Sequence, residues 1–379
     1  MVNVQQKASE RVMRTAAVTG NRRRGGMAAG NPLAEDLDHV LERTRDLWEE
    51  LRGGRIFITG GTGFFGCWLL ESLLWANREL GLKARAVVLT RDPGRFAKKA
   101  PHLAGDPAVR LLTGDMGRFR FPRGPFTHLI HAAVYQEPEG GKIRPRRMAD
   151  EMIRATNRVL DFCMEAGVRK MLLVSTGAVY GPPPAGMDRV PEDFTGSRDP
   201  ASGEDAYHHV RRIMETLTVL RAEECGFEAK VARCFSFIGP YLPLDGRFAA
   251  GDFIRDALAG RTVVVKGDGK AVRSYLYAAD LAVWLWTILF RGVSGRPYNV
   301  GSERAVTIRQ IARAVSRQHA PPLKVTVLGK ETRGVAPGRY VPDTSKASSE
   351  LGLGQEINLH SAIGKTMLWN RITNQQTEK

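Results

Sequence analysis

The spacing Thr59-Gly60-x-x-Gly63-x-x-Gly66, set between a short apolar strand and a long helix, constrains the fold of this chain more than any other stretch. Glycine at 60 permits a tight turn, glycine at 63 lets backbone approach a pyrophosphate, and glycine at 66 allows close helix–strand packing. The pyrophosphate would sit at the helix N-terminus, where unbonded N–H groups point outward. Phe64 and Phe65, at the start of the helix, are expected to bind the cofactor with the three glycines. The flanking strand and helix are what make the motif a dinucleotide site rather than a structural turn.

The rest of the pattern agrees. Apolar runs at Arg55–Thr59, Ala84–Thr90, Val109–Thr113, His128–His131, Met171–Ser175 and Glu228–Phe235 alternate with helical periodicity at Phe64–Leu80, Arg147–Ala166 and Asp205–Cys225. Such alternation predicts an α/β fold, a doubly wound parallel sheet with helices on both faces. Past Gly239-Pro240 the periodicity breaks into short segments. That region, 236–379, predicts a smaller C-terminal lobe, with part of 271–300 returning to the first domain. The first domain, 31–235, opens at Asn31-Pro32, a cap residue followed by proline at the first helical position. Leu33, Leu37, Val40, Leu41, Trp48 and Leu51 then keep helical spacing.

Composition excludes several classes. With 379 residues, 43% of them apolar and 25% charged, the chain suits a soluble globular protein. Its longest apolar run, Leu281 to Phe290, is too short to span a bilayer. The N-terminus has no apolar signal core, and the four cysteines (Cys67, Cys163, Cys225, Cys234) show no metal-ligand spacing. No zinc site or other metal is expected, nor a disulfide framework, and a cytoplasmic location fits. The net charge of +16 is partly local. Residues 1–30 carry Lys7, Arg11, Arg14, Arg22, Arg23 and Arg24 against Glu10, which predicts a disordered basic tail. No aromatic interleaving or DNA-binding motif accompanies it, so nucleic acid is not an expected partner.

The second strand ends Leu89-Thr90-Arg91-Asp92. An acid at this tip accepts the ribose 2′-hydroxyl of NAD, whereas an arginine favours the 2′-phosphate of NADP. Thr90 takes the tip and Arg91 follows, which leans toward NADP. Asp92 remains able to accept a hydroxyl and keeps NAD open.

Further motifs follow in order: Gly114-Asp115, His131-Ala132-Ala133, Ser175-Thr176-Gly177-Ala178-Val179-Tyr180-Gly181 and Tyr207-x-x-x-Arg211. With these the chain resembles the extended short-chain dehydrogenase/reductases of Rossmann fold, and more narrowly the NAD-dependent epimerase/dehydratases that act on nucleotide sugars. The resemblance covers roughly residues 50 to 355. It implies that Asp115 contacts the adenine and that His131, Ala132 and Ala133 line the nicotinamide side of a tightly bound NAD or NADP. It implies that Thr176 hydrogen-bonds the sugar hydroxyl and that Tyr207 takes its proton. Arg233, Arg273 and Arg339 match positions lining the pocket for a nucleotide-diphosphate sugar. Arginine suits a diphosphate because its fork donates two parallel charge-assisted bonds. The plainer alternative for each is an ion pair at the surface, worth little. Ser236 stands where the family has asparagine. The family also implies a homodimer built on helices packed side by side.

Where the family carries lysine one turn after the tyrosine, this chain has Arg211. Residues 207 and 211 share a helix face. A free phenol titrates near pH 10, and a cation beside it favours phenolate. Arginine keeps that charge but not the shape of lysine. After Thr176 the related 4,6-dehydratases place an acid or polar residue and then glutamate, and the related decarboxylases also tend to keep the glutamate. Here Gly177-Ala178 cannot move protons. Dehydration would need an acid from elsewhere, such as Glu137 or Asp188. What remains is redox chemistry at a secondary carbinol. The leading expectation is a nucleotide-sugar epimerase acting at C4 by transient oxidation. The rivals are an NAD(P)H-dependent 4-ketoreductase, then a 4,6-dehydratase, or a redox-inactive protein that binds nucleotide sugars. His208 and His209 diverge by about 100° on a helix and cannot readily chelate one ion. Ser175 lacks the Gly-x-Ser-x-Gly elbow of a hydrolase nucleophile. Pro182-Pro183-Pro184 is expected to stiffen a pocket loop.

Overall fold

The structure, a computed structural model, describes residues 31–135, 144–196, 199, 203–246, 248–330 and 337–377. The basic tail and Glu137 lie outside the described residues. The central sheet has seven strands: β1 (Arg55–Thr59), β2 (Arg85–Thr90), β3 (Val109–Thr113), β4 (His128–His131), β5 (Lys170–Thr176), β6 (Glu228–Cys234) and, after four short strands of the lobe, β11 (Pro297–Val300). Their order is β3-β2-β1-β4-β5-β6-β11 and every pair is parallel. This is the doubly wound Rossmann arrangement, whose chain reversal between β1 and β4 opens a crevice at the carboxyl ends of the strands.

The two-residue period of the strands divides the core. Ile56, Ile58, Ile130, Leu172 and Val174 pack to one face with the helices Phe64–Leu80 and Ala278–Arg291. Phe57, Val87, Leu89, Leu129 and Met171 face the other side, beneath the helix Pro145–Glu165. Alternating strand positions necessarily point to opposite faces, so a sheet buried on both needs apolar residues throughout. The apolar run at Leu281–Phe290 is the middle of a helix buried over Ala278–Phe290, at the centre of the larger core. Its indoles are satisfied: Trp286 Nε1 donates to Ser72 Oγ at 2.8 Å and Trp284 Nε1 to the Gly354 carbonyl at 3.1 Å.

The N-terminal helix departs from expectation. Asn31 Oδ1 does accept the Leu33 N–H, at 2.9 Å, but the α-helix runs only Ala34–Thr44 and gives way to a 3₁₀ turn at Arg45–Leu51. Thr44 Oγ1 donates to the Val40 carbonyl and accepts from the Trp48 indole. This local bonding competes with the helical ladder and tightens the chain at that point.

The lobe is built from short strands. β7 (Phe237–Ile238) pairs with β10 (Leu276–Tyr277), and β8 (Val263–Val265) pairs with β13 (Val325–Val327). β9 (Val272–Arg273) lies between β12 (Val306–Thr307) and β14 (Arg339–Tyr340). A bridge between Val190 and Pro342 ties the loop after β5 to this last strand. No helix among the described residues is long and apolar enough to cross a membrane.

Candidate active site

The glycine loop closes tightly on the next crossover. Gly60 has φ +73°, and a Cβ there would stand 2.6 Å from the Ala132 carbonyl and the Ala133 nitrogen. A Cβ on Gly66 would meet the Gly60 carbonyl at 2.3 Å, and one on Gly63 would meet it at 3.3 Å. The first contact bars a side chain at 66 and the second leaves little room at 63, so helix Phe64–Leu80 begins against bare backbone. Its cap is Gly63 and no side chain bonds there. A dinucleotide pyrophosphate fits this surface, since it needs exposed N–H groups and close backbone approach.

At the other end of the crevice two buried polar atoms have no partner, His131 Nε2 and Arg211 Nε. His131 Nδ1 lies 2.6 Å from Thr59 Oγ1. Burial, helped by the Arg211 charge, pushes the His131 imidazole down to about 3, so it is neutral. Two orphaned buried groups beside the Ala132–Ala133 turn are what a site shaped for a polar ring system would leave when described by itself.

Thr176 ends β5, and its Oγ1 accepts the Ala178 N–H at 3.2 Å, capping the turn Gly177–Tyr180. Tyr207 sits in the first turn of helix Ala206–Cys225, half-buried, and that helix packs against both β5 and the Gly177–Tyr180 turn. Arg211 follows one turn later and is buried. Its Nη2 donates to the Val174 carbonyl at 2.5 Å and Nη1 approaches Met214 Sδ at 4.0 Å. The guanidinium thus reaches the backbone of β5, a hold the compact ammonium of lysine would make differently.

The residue after Thr176 is glycine for a spatial reason. A Cβ at 177 would lie 2.6 Å from the Phe235 ring. That ring packs against Tyr340 with centroids 4.6 Å apart and planes tilted by 35°, and Tyr340 Oη is 3.3 Å from Thr176 Oγ1. The place where a proton-moving side chain would project is therefore aromatic. Sequence reading missed Phe235 and Tyr340; only the neighbouring Arg339 pointed to the second.

The three arginines differ. Arg233 is half-buried with its donors committed inside the fold: Nε and Nη2 to Glu215, the latter at 2.7 Å, and Nη1 to Tyr180 Oη at 2.9 Å and to the Glu192 carbonyl. The sequence offered substrate contact or a surface pair; the geometry is an internal ion pair, because Glu215 on the facing helix and Ser175 Oγ converge there. Arg273 Nη1 donates to the Val272 and Gly338 carbonyls. Arg339 pairs with Asp188 at 3.1 Å and donates to its carbonyl, so Asp188 is engaged at the lobe rather than beside Thr176. Ser236 is half-buried and its carbonyl receives the Leu276 N–H. Arg91 and Asp115 are exposed, the latter accepting the Gly117 N–H. His208 faces Asp205 at 3.5 Å and His209 meets the Asp199 carbonyl. Among the described residues no group of three or more His, Cys, Asp or Glu is placed to hold a metal.

A doubly wound parallel sheet with a glycine loop at its switch point has the form of a dinucleotide-binding enzyme. Residues 56–301 match the family model described as the NAD dependent epimerase/dehydratase family, and the chain belongs to that family. UDP-glucuronic acid decarboxylase 1 of Arabidopsis thaliana is 27% identical over 327 residues, spanning 86% of this chain and 72% of that protein. The Xenopus tropicalis protein of the same name is 27% identical over 317 residues, 84% of this chain and 72% of its own length. Among solved structures, UDP-glucose 4-epimerase of Thermotoga maritima with UDP-glucose superposes with a TM-score of 0.69 at 21% identity, covering 84% of this chain and 99% of that one. A dTDP-glucose 4,6-dehydratase of Streptomyces venezuelae gives 0.67 at 21% identity, over 85% and 98%. These likenesses reach the same fold.

Proposed function

We propose that this chain epimerises a nucleotide-diphosphate sugar at C4, using a retained NAD(P). The observation that carries the reading is the aromatic wall at Gly177. With Phe235 against that position and alanine at 178, the proton-handling side chains we assign to the substrate among the described residues at the end of β5 are the hydroxyls of Thr176 and Tyr207, with Tyr340 behind and Glu215 held by Ser175 and Arg233. Such a set serves one carbinol. Tyr207 removes the hydroxyl proton as the carbon is oxidised and returns it when the carbon is reduced on its other face; Thr176 holds the oxygen between. Bound NAD(P)+ supplies the hydride acceptor and afterwards the donor. Elimination of water would need a further acid–base pair. The nucleotide-sugar substrate is supported by relatives and structural neighbours named for UDP-sugars.

Decarboxylation is the second reading, favoured by the names of the curated relatives. It shares the oxidation at C4. It then needs a sugar carboxylate as leaving group and a proton for the carbon left behind. Incubating the chain with UDP-glucose, UDP-galactose and UDP-glucuronic acid, and following products by NMR and absorbance at 340 nm, tests both. A C4 epimer without net change at 340 nm supports the proposal. A pentose product installs decarboxylation, and net consumption of reduced cofactor with a keto-sugar installs the ketoreductase.

We infer further that it works as a soluble homodimer in the cytoplasm. Exposed Ile213 and Leu220, seven residues apart on one face of Ala206–Cys225, support a helix-borne contact. Light scattering on the purified chain tests this.

A further inference from the structure

We propose that the outer face of the lobe, formed by helix Ile308–Ser316, strand β13 and helix Leu359–Thr377, docks on an anionic membrane surface. The inference does not depend on the reaction assigned above. Helix Ile308–Ser316 is set by a capping box between Thr307 and Gln310, and it buries Ile311, Ala312 and Val315. On its outward side Arg309, Arg313 and Arg317 recur every four residues, all exposed, in a row about 12 Å long. Like charges at that spacing repel. The helix dipole favours a cation at Arg317, beside the carboxyl end, and disfavours one at Arg309, in the first turn. Stability of the helix therefore does not account for the row.

Neighbouring elements extend the charge. The Leu323 carbonyl accepts the Ser316 hydroxyl at 2.6 Å, so β13 starts beside the carboxyl end of the helix. The strand then runs back along it. The Gly329 N–H donates to the Gly267 carbonyl and the Arg309 N–H to the Gly269 carbonyl, so one turn holds the end of β13 and the start of the helix. Exposed Lys324 and Lys330 thus stand at opposite ends of the row, near Arg317 and Arg309 respectively. Helix Leu359–Thr377 borders the row through Gln318, which donates to the His360 carbonyl at 3.3 Å and lies 3.2 Å from where a Cβ on Gly364 would stand. Arg371, two turns after Gly364, is exposed as well. No Asp or Glu occurs from 305 to 330 or from 357 to 377. Among the described residues no carboxylate pairs with any of these six cations.

Two apolar side chains stand in this field. Leu328 ends β13 and is 61% exposed; Leu368, one turn after Gly364, is 57% exposed. They are the most exposed large apolar side chains among the described residues. Cations around protruding leucines match the boundary of an anionic leaflet, where arginine forks and lysines meet phosphates and the leucines enter the acyl edge. A nucleic acid would take up the cations and leave both leucines in water. The contact is peripheral, since no helix among the described residues crosses a bilayer.

The test is flotation of the purified full chain with two kinds of vesicle, phosphatidylcholine alone and phosphatidylcholine with about one-third phosphatidylserine. Binding is expected on the anionic vesicles only, and it should fall as salt rises from about 0.05 M to about 0.3 M. Replacing Arg309, Arg313 and Arg317 together by glutamine should weaken it about a hundredfold. Leu328→Ser with Leu368→Ser should weaken it about tenfold, at low and high salt alike. All five side chains are exposed and the triple change removes like-charge repulsion, so both variants should keep the parental melting temperature. Binding undiminished by the arginine changes would place the attraction elsewhere, in the basic N-terminal segment for example, and overturns the inference. So does a leucine pair whose loss changes nothing, equal binding to both kinds of vesicle, or binding to neither. Tighter binding to a DNA duplex than to the anionic vesicles overturns it in favour of a nucleic acid.

Discussion

The hydroxyls of Thr176 and Tyr340 lie 3.3 Å apart, although 164 residues separate them in sequence. Tyr340 Oη donates to the Cys234 carbonyl, also at 3.3 Å, while Thr176 Oγ1 accepts the Ala178 N–H. The arrangement that uses every group has the Thr176 hydrogen directed to Tyr340. Burial raises the Tyr340 phenol, so it stays protonated. The lobe thereby sets the direction in which a hydroxyl of the proposed catalytic pair presents its lone pairs.

Tyr340→Phe should therefore lower kcat by about three- to tenfold, the worth of one hydrogen bond, with KM little changed. The ring would keep its packing on Phe235 and its place near the Arg273 guanidinium, 5.8 Å from the ring centre. Steady-state kinetics on the accepted nucleotide sugar gives the answer. A variant with wild-type kcat would mean that Tyr340 only fills space.

Gly177 and Phe235 should be energetically coupled. Placing a methyl group at 177 forces the ring aside and should cost about 1–3 kcal/mol, read as a lower melting temperature for Gly177→Ala. In a Phe235→Leu background the added penalty should shrink, since the ring that clashes is gone. Thermal denaturation of the two single variants and the double variant closes the cycle. Additive losses would show that the contact is not what keeps glycine at 177.

Arg233 and Glu215 form a pair with side chains 15% and 11% exposed. Removing one partner strands the other charge, so Arg233→Met or Glu215→Gln should destabilise the fold by about 3–5 kcal/mol. Denaturant titration measures this. Nucleotide-sugar affinity measured well below the melting temperature should change little. An Arg233 variant that melts normally but loses nucleotide affinity would restore the ligand role that its sequence position suggested.

That contrast marks what sequence can and cannot reveal here. β1, β3, β4 and the helix Phe64–Leu80 fall within the bounds read from apolar runs and glycine spacing, because those signals act over a few residues. The seventh strand, Pro297–Val300, is four residues long; the sequence placed its neighbourhood, part of 271–300, back on the first domain, and only the pairing with β6 fixes the strand itself. The engagement of Arg233 by Glu215 joins a strand to a helix, and that of Thr176 by Tyr340 joins a strand end to the lobe. Neither leaves a periodic trace. The 3₁₀ turn after Thr44 was equally hidden, since Leu47, Trp48 and Leu51 keep an apolar spacing that an unbroken helix would also satisfy.

His131 gives the fold a pH dependence with a definite sign. Its imidazole is pushed from 6.5 to about 3, chiefly by burial and then by the Arg211 charge. Between those values the unfolded chain takes up a proton that the folded chain refuses, so acid favours unfolding. The contribution of a neutral His131 is complete above pH 6.5 and declines as the pH falls toward 3, by at most about 1.4 kcal/mol per pH unit. His131→Asn removes the titrating group and leaves an amide to meet Thr59, whose hydroxyl now lies 2.6 Å from the ring. Denaturation midpoints from pH 7 to pH 4 should fall less steeply for the variant than for the parent chain. Parallel curves would mean that His131 takes up its proton as readily in the folded chain as in the unfolded one, and that burial does not hold the imidazole neutral.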